Sequence, residues 1–418
     1  MKWSQYGRFT LALVASLALG LSITACNPSF TLGFVYALSA KSSPGLITAY
    51  TIDSVSGAIT QVANSPFPSG GQYPIAAVVT NNSKWMYVIH EIDNTVVEFA
   101  IGTDGKLYQQ HTYNTPGTYP ISVTTDNQNR FLFVVDSYAP AFNTSGAVAP
   151  NINQIAANPP TYGCVAVYPI SAKDGSLGNA VGCYPLNGST AVQGSQPIGI
   201  SATAFVNYLY VADQGTHSVY AYSVNYTNGV LTPLANNSYQ AGVKPSAIAS
   251  DPSGRFVYVT DQYENLLLGY DIQADGSLQA MLDGPFPTDL FPNAIAIDPR
   301  GLFMYVTNFN SNDVRAYAIA SSASAQGSSP QGTPAAIAGK GAAGVGSGTG
   351  PTCISIEAAY GRFVYVSNYL DNTVSGFELD PHTGELTQVL NTPFSAGGDT
   401  TCVATSANGT HPVQTITP

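Results

Sequence analysis

The chain has 418 residues, 13 Lys and Arg against 24 Asp and Glu, and a formal net charge of −11. That balance, with no basic cluster, argues against a nucleic-acid partner, which needs Lys and Arg to displace counterions, and against a strongly anionic substrate such as a sugar phosphate. Abundant Gly, Pro, Thr, Ser, Asn and Tyr with scarce Lys fit an exported all-β protein better than a cytosolic enzyme.

Residues 1–25 read as a leader. Lys2 and Arg8 supply a positive start, and Phe9 to Ile23 is an apolar run too short to be read as a spanning helix. It ends in Ile23-Thr24-Ala25-Cys26, which resembles the lipobox of bacterial lipoproteins. On that resemblance Cys26 is lipidated after cleavage and residues 26–33 link the anchor to the fold. The alternative is an ordinary secretory signal with a coincidental cysteine. Asn27 follows Cys26, with no aspartate to signal inner-membrane retention, so the expected location is the bacterial cell envelope, lipid-anchored at the outer membrane.

From residue 34 to 409 one unit recurs seven times. Its clearest copies are Phe256-Val257-Tyr258-Val259-Thr260-Asp261, Phe303-Met304-Tyr305-Val306-Thr307-Asn308 and Phe363-Val364-Tyr365-Val366-Ser367-Asn368. Four short strands every ~40–50 residues are the sequence sign of a β-propeller. Strand A follows a proline in six copies, beginning at Pro74, Pro120, Pro197, Pro245, Pro292 and Pro351, and its third residue is always small. Small side chains suit the innermost strand, where blades crowd around the axis. Strand B is the Phe-Val-Tyr-Val run, apolar on both faces as a strand between two blades requires. Strand C is β-branched and aromatic, as in Thr95 to Phe99, and strand D opens after a glycine turn such as Asp104-Gly105.

The chain begins its repeats with B, C and D (Phe34 to Val62) and ends with an unpartnered A at Thr400. The expected fold is therefore all-β: a seven-bladed β-propeller of four-stranded antiparallel blades, closed by a composite blade from both termini. Such closure removes open sheet edges. Residues 139–163 and 321–350 read as insertions, the second as a flexible Ala/Ser/Gly loop, and 410–418 as a tail.

Four cysteines remain besides Cys26. Cys164 and Cys183 flank a hairpin turning at Lys173-Asp174-Gly175; if Ile170 pairs with Leu177, the two cysteines fall opposite each other. Cys353 and Cys402 share one repeat position and should lie on neighbouring innermost strands. Two bridges, Cys164–Cys183 and Cys353–Cys402, are expected in an oxidising compartment; buried free thiols are the alternative.

Strand A starts and strand B ends on one face of the ring. That face should carry the residues before each strand A, namely Tyr73, Tyr119, Gln196, Lys244, Phe291 and Asp399. It should also carry the strand-B ends His90, Asp136, Asp213, Asp261, Asn308 and Asn368. Such a ring could bind a polar ligand, or its Asp and Asn could cap turns. His90-Glu91 is unrepeated in other copies, and a histidine beside a carboxylate can activate water. No nucleophile elbow, metal helix or phosphate loop is present, and the histidines lack metal-ligand spacing, so neither cofactor nor metal is expected.

Tyr305-Val306-Thr307-Asn308 and the segment Met86 to Val96 resemble the lactonase-like seven-bladed propellers, which include 6-phosphogluconolactonase-type enzymes and YVTN-repeat surface proteins. The resemblance spans about residues 34–409, with Glu91 on the family glutamate and His90 replacing its asparagine. The Pro-Arg-His stretch usual in strand A of the family's lactonases is absent from every copy. Two readings follow. The first is a monomeric, membrane-anchored propeller binding a glycan, peptide or protein at its mouth. The alternative is a lactone hydrolase using Glu91 and His90. The sequence favours binding.

Overall fold

The computed structural model describes residues 29–139, 162–186, 194–204, 207–320, 332–337 and 344–409. The leader, Cys26, most of the first insertion and the tail lie outside the described residues. The described chain forms seven antiparallel sheets with no helix among them. The innermost strands are Pro74–Val79 (blade I), Thr118–Thr125 (II), Pro197–Ala202 (III), Pro245–Ser250 (IV), Pro292–Ile297 (V), Pro351–Ile356 (VI) and Thr400–Ala407 (VII). Each packs against the next around a central bore. Proline opens most of them because the first residue of an edge strand needs no N–H donor.

Strand B of every blade is sandwiched between neighbours and buried throughout its central residues, a tyrosine between aliphatic side chains in six blades. Its tyrosine does more than fill space. The hydroxyl of Tyr305 donates to the carbonyl of Gly384 in the next blade's outer hairpin at 3.0 Å. The same clasp joins Tyr36 to Gly105, Tyr87 to Gly175, Tyr210 to Gly276, Tyr258 to Gly332, and Tyr365 to Gly57. In blade II the position is Phe133, and no hydroxyl is available. The hairpin glycine is required twice over. Gly384 has φ 74°, and a Cβ there would lie 2.3 Å from Phe303.

Closure is as the repeat count demands. Blade VII runs Ile59–Gln61, Leu46–Asp53, Thr31–Ser39, Thr400–Ala407, pairing Phe34 with Ser406 and Tyr36 with Ala404. Both disulfides form. Cys353–Cys402 (Cα–Cα 4.8 Å) joins the innermost strands of blades VI and VII. Cys164–Cys183 (5.5 Å) forms with a different register from the one expected: Ile170 does pair with Leu177, but two extra residues in the outer strand bring Ala166, not Cys164, opposite Cys183. The stretch 321–350 is not a loop throughout. Pro334–Ala336 and Val345–Gly346 pair with Asp313–Ile319 as the outer strand of blade V. Backbone pairing at a sheet edge asks little of the side chains, which is how an Ala- and Gly-rich segment can supply it.

Candidate functional site

Two adjacent positions at the end of strand B have opposite fates, because successive side chains on an extended chain point to opposite sides. The last strand residue turns inward. His90, Asp136, Asp213, Asp261, Asn308 and Asn368 are all fully buried. They act as caps: Asp136 accepts from Gly117 N–H at 2.9 Å, Asp213 from Gln196 and Thr216, and Asp261 from Val243 and Tyr263. Asn308 donates to Asp313 and Asn368 to Ser375. None of the six lines the central cavity.

The following residue turns to the mouth. Its N–H donates to the carbonyl of the residue before strand A, as from Glu91 to Tyr73 (3.1 Å), Phe309 to Phe291 (2.9 Å) and Tyr369 to Gly350 (2.8 Å). Phe309 and Tyr369 line the cavity and were missed from the sequence, although each follows a repeat-ending asparagine just as Glu91 follows His90.

Four of the non-glycine residues before strand A are held in the left-handed region: Tyr73 at φ 56°, Tyr119 at 55°, Phe291 at 62° and Asp399 at 39°. A non-glycine residue there costs about 1–3 kcal/mol. An asparagine of the preceding blade fixes several of them: Asn94 accepts from Tyr119 N–H and Asn265 from Phe291 N–H, both at 2.7 Å, and Asn372 from Asp399 N–H. Their side chains then diverge. Tyr73 reaches the cavity; Tyr119 is half exposed and packs edge-on against Tyr138; Lys244 lies in a separate depression with Tyr263.

The cavity is about 620 Å³ and opens between Tyr73, Phe309 and Tyr369. Its wall is two-sided. At the position after the opening proline, or after Thr400 in blade VII, blades I–III carry Ile75, Ile121 and Ile198, whereas blades IV–VII carry Ser246, Asn293, Thr352 and Thr401. Those polar groups are engaged with the next blade: Asn293 donates to the Pro351 carbonyl at 2.8 Å and Thr401 to that of Pro74 at 2.6 Å.

Chemistry concentrates where blades VI, VII and I meet. The Tyr73 hydroxyl lies within the electrostatic reach of the Tyr369 phenol and of the Glu91 and Asp399 carboxylates. Burial first, then these neighbours, pushes Tyr73 up to about 12, so it stays a neutral donor. Burial alone raises half-buried Glu91 above the usual glutamate range.

His90 does not join Glu91. Its Nε2 lies 3.0 Å from Ser69 Oγ and its Nδ1 3.5 Å from Thr95 Oγ1. Burial lowers it to about 4 against the opposing pull of Asp93, so it is neutral near pH 7. Among the described residues the one close group of metal-ligating types is Asp136 with Cys164 and Cys183, and both cysteines are consumed by their bridge.

The family described as Lactonase, 7-bladed beta-propeller matches residues 40–245 and 233–336. The chain belongs to this family. A 6-phosphogluconolactonase of Pectobacterium carotovorum subsp. carotovorum is 26% identical over 259 residues, covering 51% of this chain and 70% of that protein. Among solved structures, the periplasmic gluconolactonase of Pseudomonas aeruginosa superposes with a TM-score of 0.67 at 18% identity, covering 90% of this chain and 99% of that one. A Lactobacillus plantarum protein gives the same four values. At such identities the structural likeness speaks for the fold alone. Within this lactonase-family fold, the second strand-A position that holds arginine in a Pro-Arg-His stretch holds isoleucine or a small polar residue here.

Proposed function

We propose that this lactonase-family propeller hydrolyses a lactone at the Tyr73–Tyr369 mouth, with Glu91 as general base and Tyr73 as donor to the developing oxyanion. The observation that carries this is a cavity of substrate size lined by the neutral Tyr73 phenol, with Glu91 held by its N–H to the Tyr73 carbonyl and its carboxylate, raised by burial, acting on that phenol electrostatically. Family membership and the curated relative support hydrolysis over binding alone. Glu91 takes a proton from water as its oxygen attacks the carbonyl carbon, and the Tyr73 hydroxyl stabilises the tetrahedral oxyanion. Collapse breaks the ring C–O bond, Glu91 returns the proton to the leaving alkoxide, and a hydroxy acid departs. His90 is not required for any step.

Purified protein should therefore open lactones, with Glu91→Gln losing roughly 10²–10⁴ in kcat. The rate should rise with pH along a limb lying above the ordinary glutamate range, since only the ionised base accepts a proton and burial raises its pKa. A Glu91→Gln enzyme as fast as the parent would remove the mechanism, and absence of turnover on every lactone would return the chain to a binding role. We further infer a lipid anchor at Cys26 holding the propeller to the bacterial envelope. Cys26→Ser should move the protein from the detergent to the aqueous phase on partition, and an unchanged distribution would exclude the anchor.

A further inference from the structure

We propose that the substrate is an uncharged lactone carrying an apolar tail, and that the tail lies along the isoleucine side of the bore; this rests on the hydrolytic reading above. Three features of the cavity carry it. First, charge: among the described residues, no Lys, Arg or His lines it, its titratable lining groups are the Tyr73 and Tyr369 phenols, and the charged groups that act on Tyr73 are the Glu91 and Asp399 carboxylates. A phosphoryl group brings close to two negative charges and is ordinarily met by Arg or Lys. Among the described residues, Lys41, exposed beside Gly398, Lys244, in its own depression, and Arg315, paired with Asp289 at 3.0 Å, are not among those that line the cavity.

Second, the wall has a direction. Ile75, Ile121 and Ile198 form a continuous apolar arc over blades I–III, and Ile248, Ile295 and Ile354 continue the lining deeper in blades IV–VI. The polar residues of the opposite arc have hydrogen-bond partners on neighbouring blades. A polyhydroxylated sugar ring in the bore would exchange water for aliphatic side chains, leaving hydroxyls unpaired. An alkyl chain incurs no such loss.

Third, Tyr73 sits directly above Ile75 in the chain, so the reacting ester and the apolar arc begin on the same blade. With the carbonyl at Tyr73 and Glu91, a substituent on the ring that points down the bore meets this arc first. The volume, about 620 Å³, lies within the roughly 300–1,000 Å³ typical of small-molecule sites.

The test is a homologous series. kcat/KM is measured for δ-valerolactone, δ-octanolactone and δ-decalactone, and for glucono-1,5-lactone with and without a 6-phosphate, at one pH and ionic strength. The expected result is a rise of about fourfold per added methylene, from ~0.8 kcal/mol per buried CH₂, with the phosphorylated sugar the poorest substrate. A flat series, or preference for the phosphate, overturns the proposal. Ile121→Asn should cut the gain per methylene by at least half; if that variant does not fold, the wild-type series decides alone. The matching lactams, which resist hydrolysis, are titrated in parallel by ligand-observed NMR. No turnover with chain-length-dependent lactam binding would sink the hydrolytic reading and keep the apolar ligand class. Turnover without chain-length dependence would do the reverse.

Discussion

His90 occupies a position where two other blades place asparagine, Asn308 and Asn368, and all three are fully buried. Burial holds its pKa near 4, against an ordinary value of 6.5. Between those values the unfolded chain holds the extra proton and the folded chain does not. The stability His90 contributes is thus complete above pH 6.5 and is lost as pH falls toward 4. Asp136 has the opposite slope: burial raises it to about 7, so the folded form binds protons first and gains stability as pH falls below 7. His90→Asn removes the first effect and leaves the second. On urea unfolding, the variant should gain on the parent by roughly 2–3 kcal/mol between pH 7 and pH 4.5. A difference constant across that range would mean that His90 titrates alike in the folded and unfolded chain, and that burial does not shift it. The sequence reads His90 and Glu91 as a pair, and the structure turns His90 away into contacts with Ser69 and Thr95. A register shift between Pro74 and Ala76 sets which side chain faces the bore, and it leaves no mark in the residue types. For the same reason the strand-end Asp and Asn residues, which the sequence leaves open between ligand contacts and turn caps, act as caps, while Phe309 and Tyr369 carry no signal of their own.

The repeated strand B and the repeated glycine turn were both legible along the chain; that one grips the other across the blade boundary was not. Repeat periodicity describes what lies within a unit, whereas Tyr305 and Gly384 belong to consecutive units. This contact gives the Tyr-Val pair a physical reason: the ring fills the space between blades and the hydroxyl satisfies a carbonyl that would otherwise be buried alone. Tyr305→Phe keeps the ring and orphans the Gly384 carbonyl, at a cost of about 1–3 kcal/mol. Chemical denaturation would show it as a lower midpoint with an unchanged slope. Blade II already carries Phe133 at this position, so Phe133→Tyr is the reciprocal probe: a new hydroxyl should stabilise the fold only if it finds the Gly229 carbonyl of the next hairpin. Equal stability of Tyr305→Phe and the parent would reduce the clasp to packing. The outer strand of blade V escaped the sequence for a different reason. Pro334–Ala336 has none of the β-branched residues that announce a strand, and its partner Asp313–Ile319 supplies the pattern for both.

Two devices close the ring, and they hold different ends. The Cys353–Cys402 bridge joins blade VI to the C-terminal strand, so it does not itself bind the N-terminal segment. That segment is held by strand pairing, Gly33 through Ser39 against Thr400–Ala407, and every residue of the C-terminal strand is buried. The Tyr36–Gly105 and Tyr365–Gly57 clasps add a contact on each flank of the composite blade. Replacing both cysteines with serine should therefore lower stability and leave the ring closed. Loop entropy for cysteines 49 residues apart sets the loss at roughly 4 kcal/mol or less. Ending the chain at residue 399 removes the innermost strand of blade VII. It leaves Thr31–Ser39 as a bare apolar edge, which invites association with other chains. Size-exclusion chromatography with near-UV circular dichroism separates the two outcomes. The serine variant should elute as the parent does and keep its aromatic signal, with an earlier unfolding midpoint. The truncated chain should lose that signal and aggregate. If the truncated chain eluted and unfolded like the parent, the blades would be stable without closure, and the composite blade would be a consequence of the repeat count with no part in holding the mouth together.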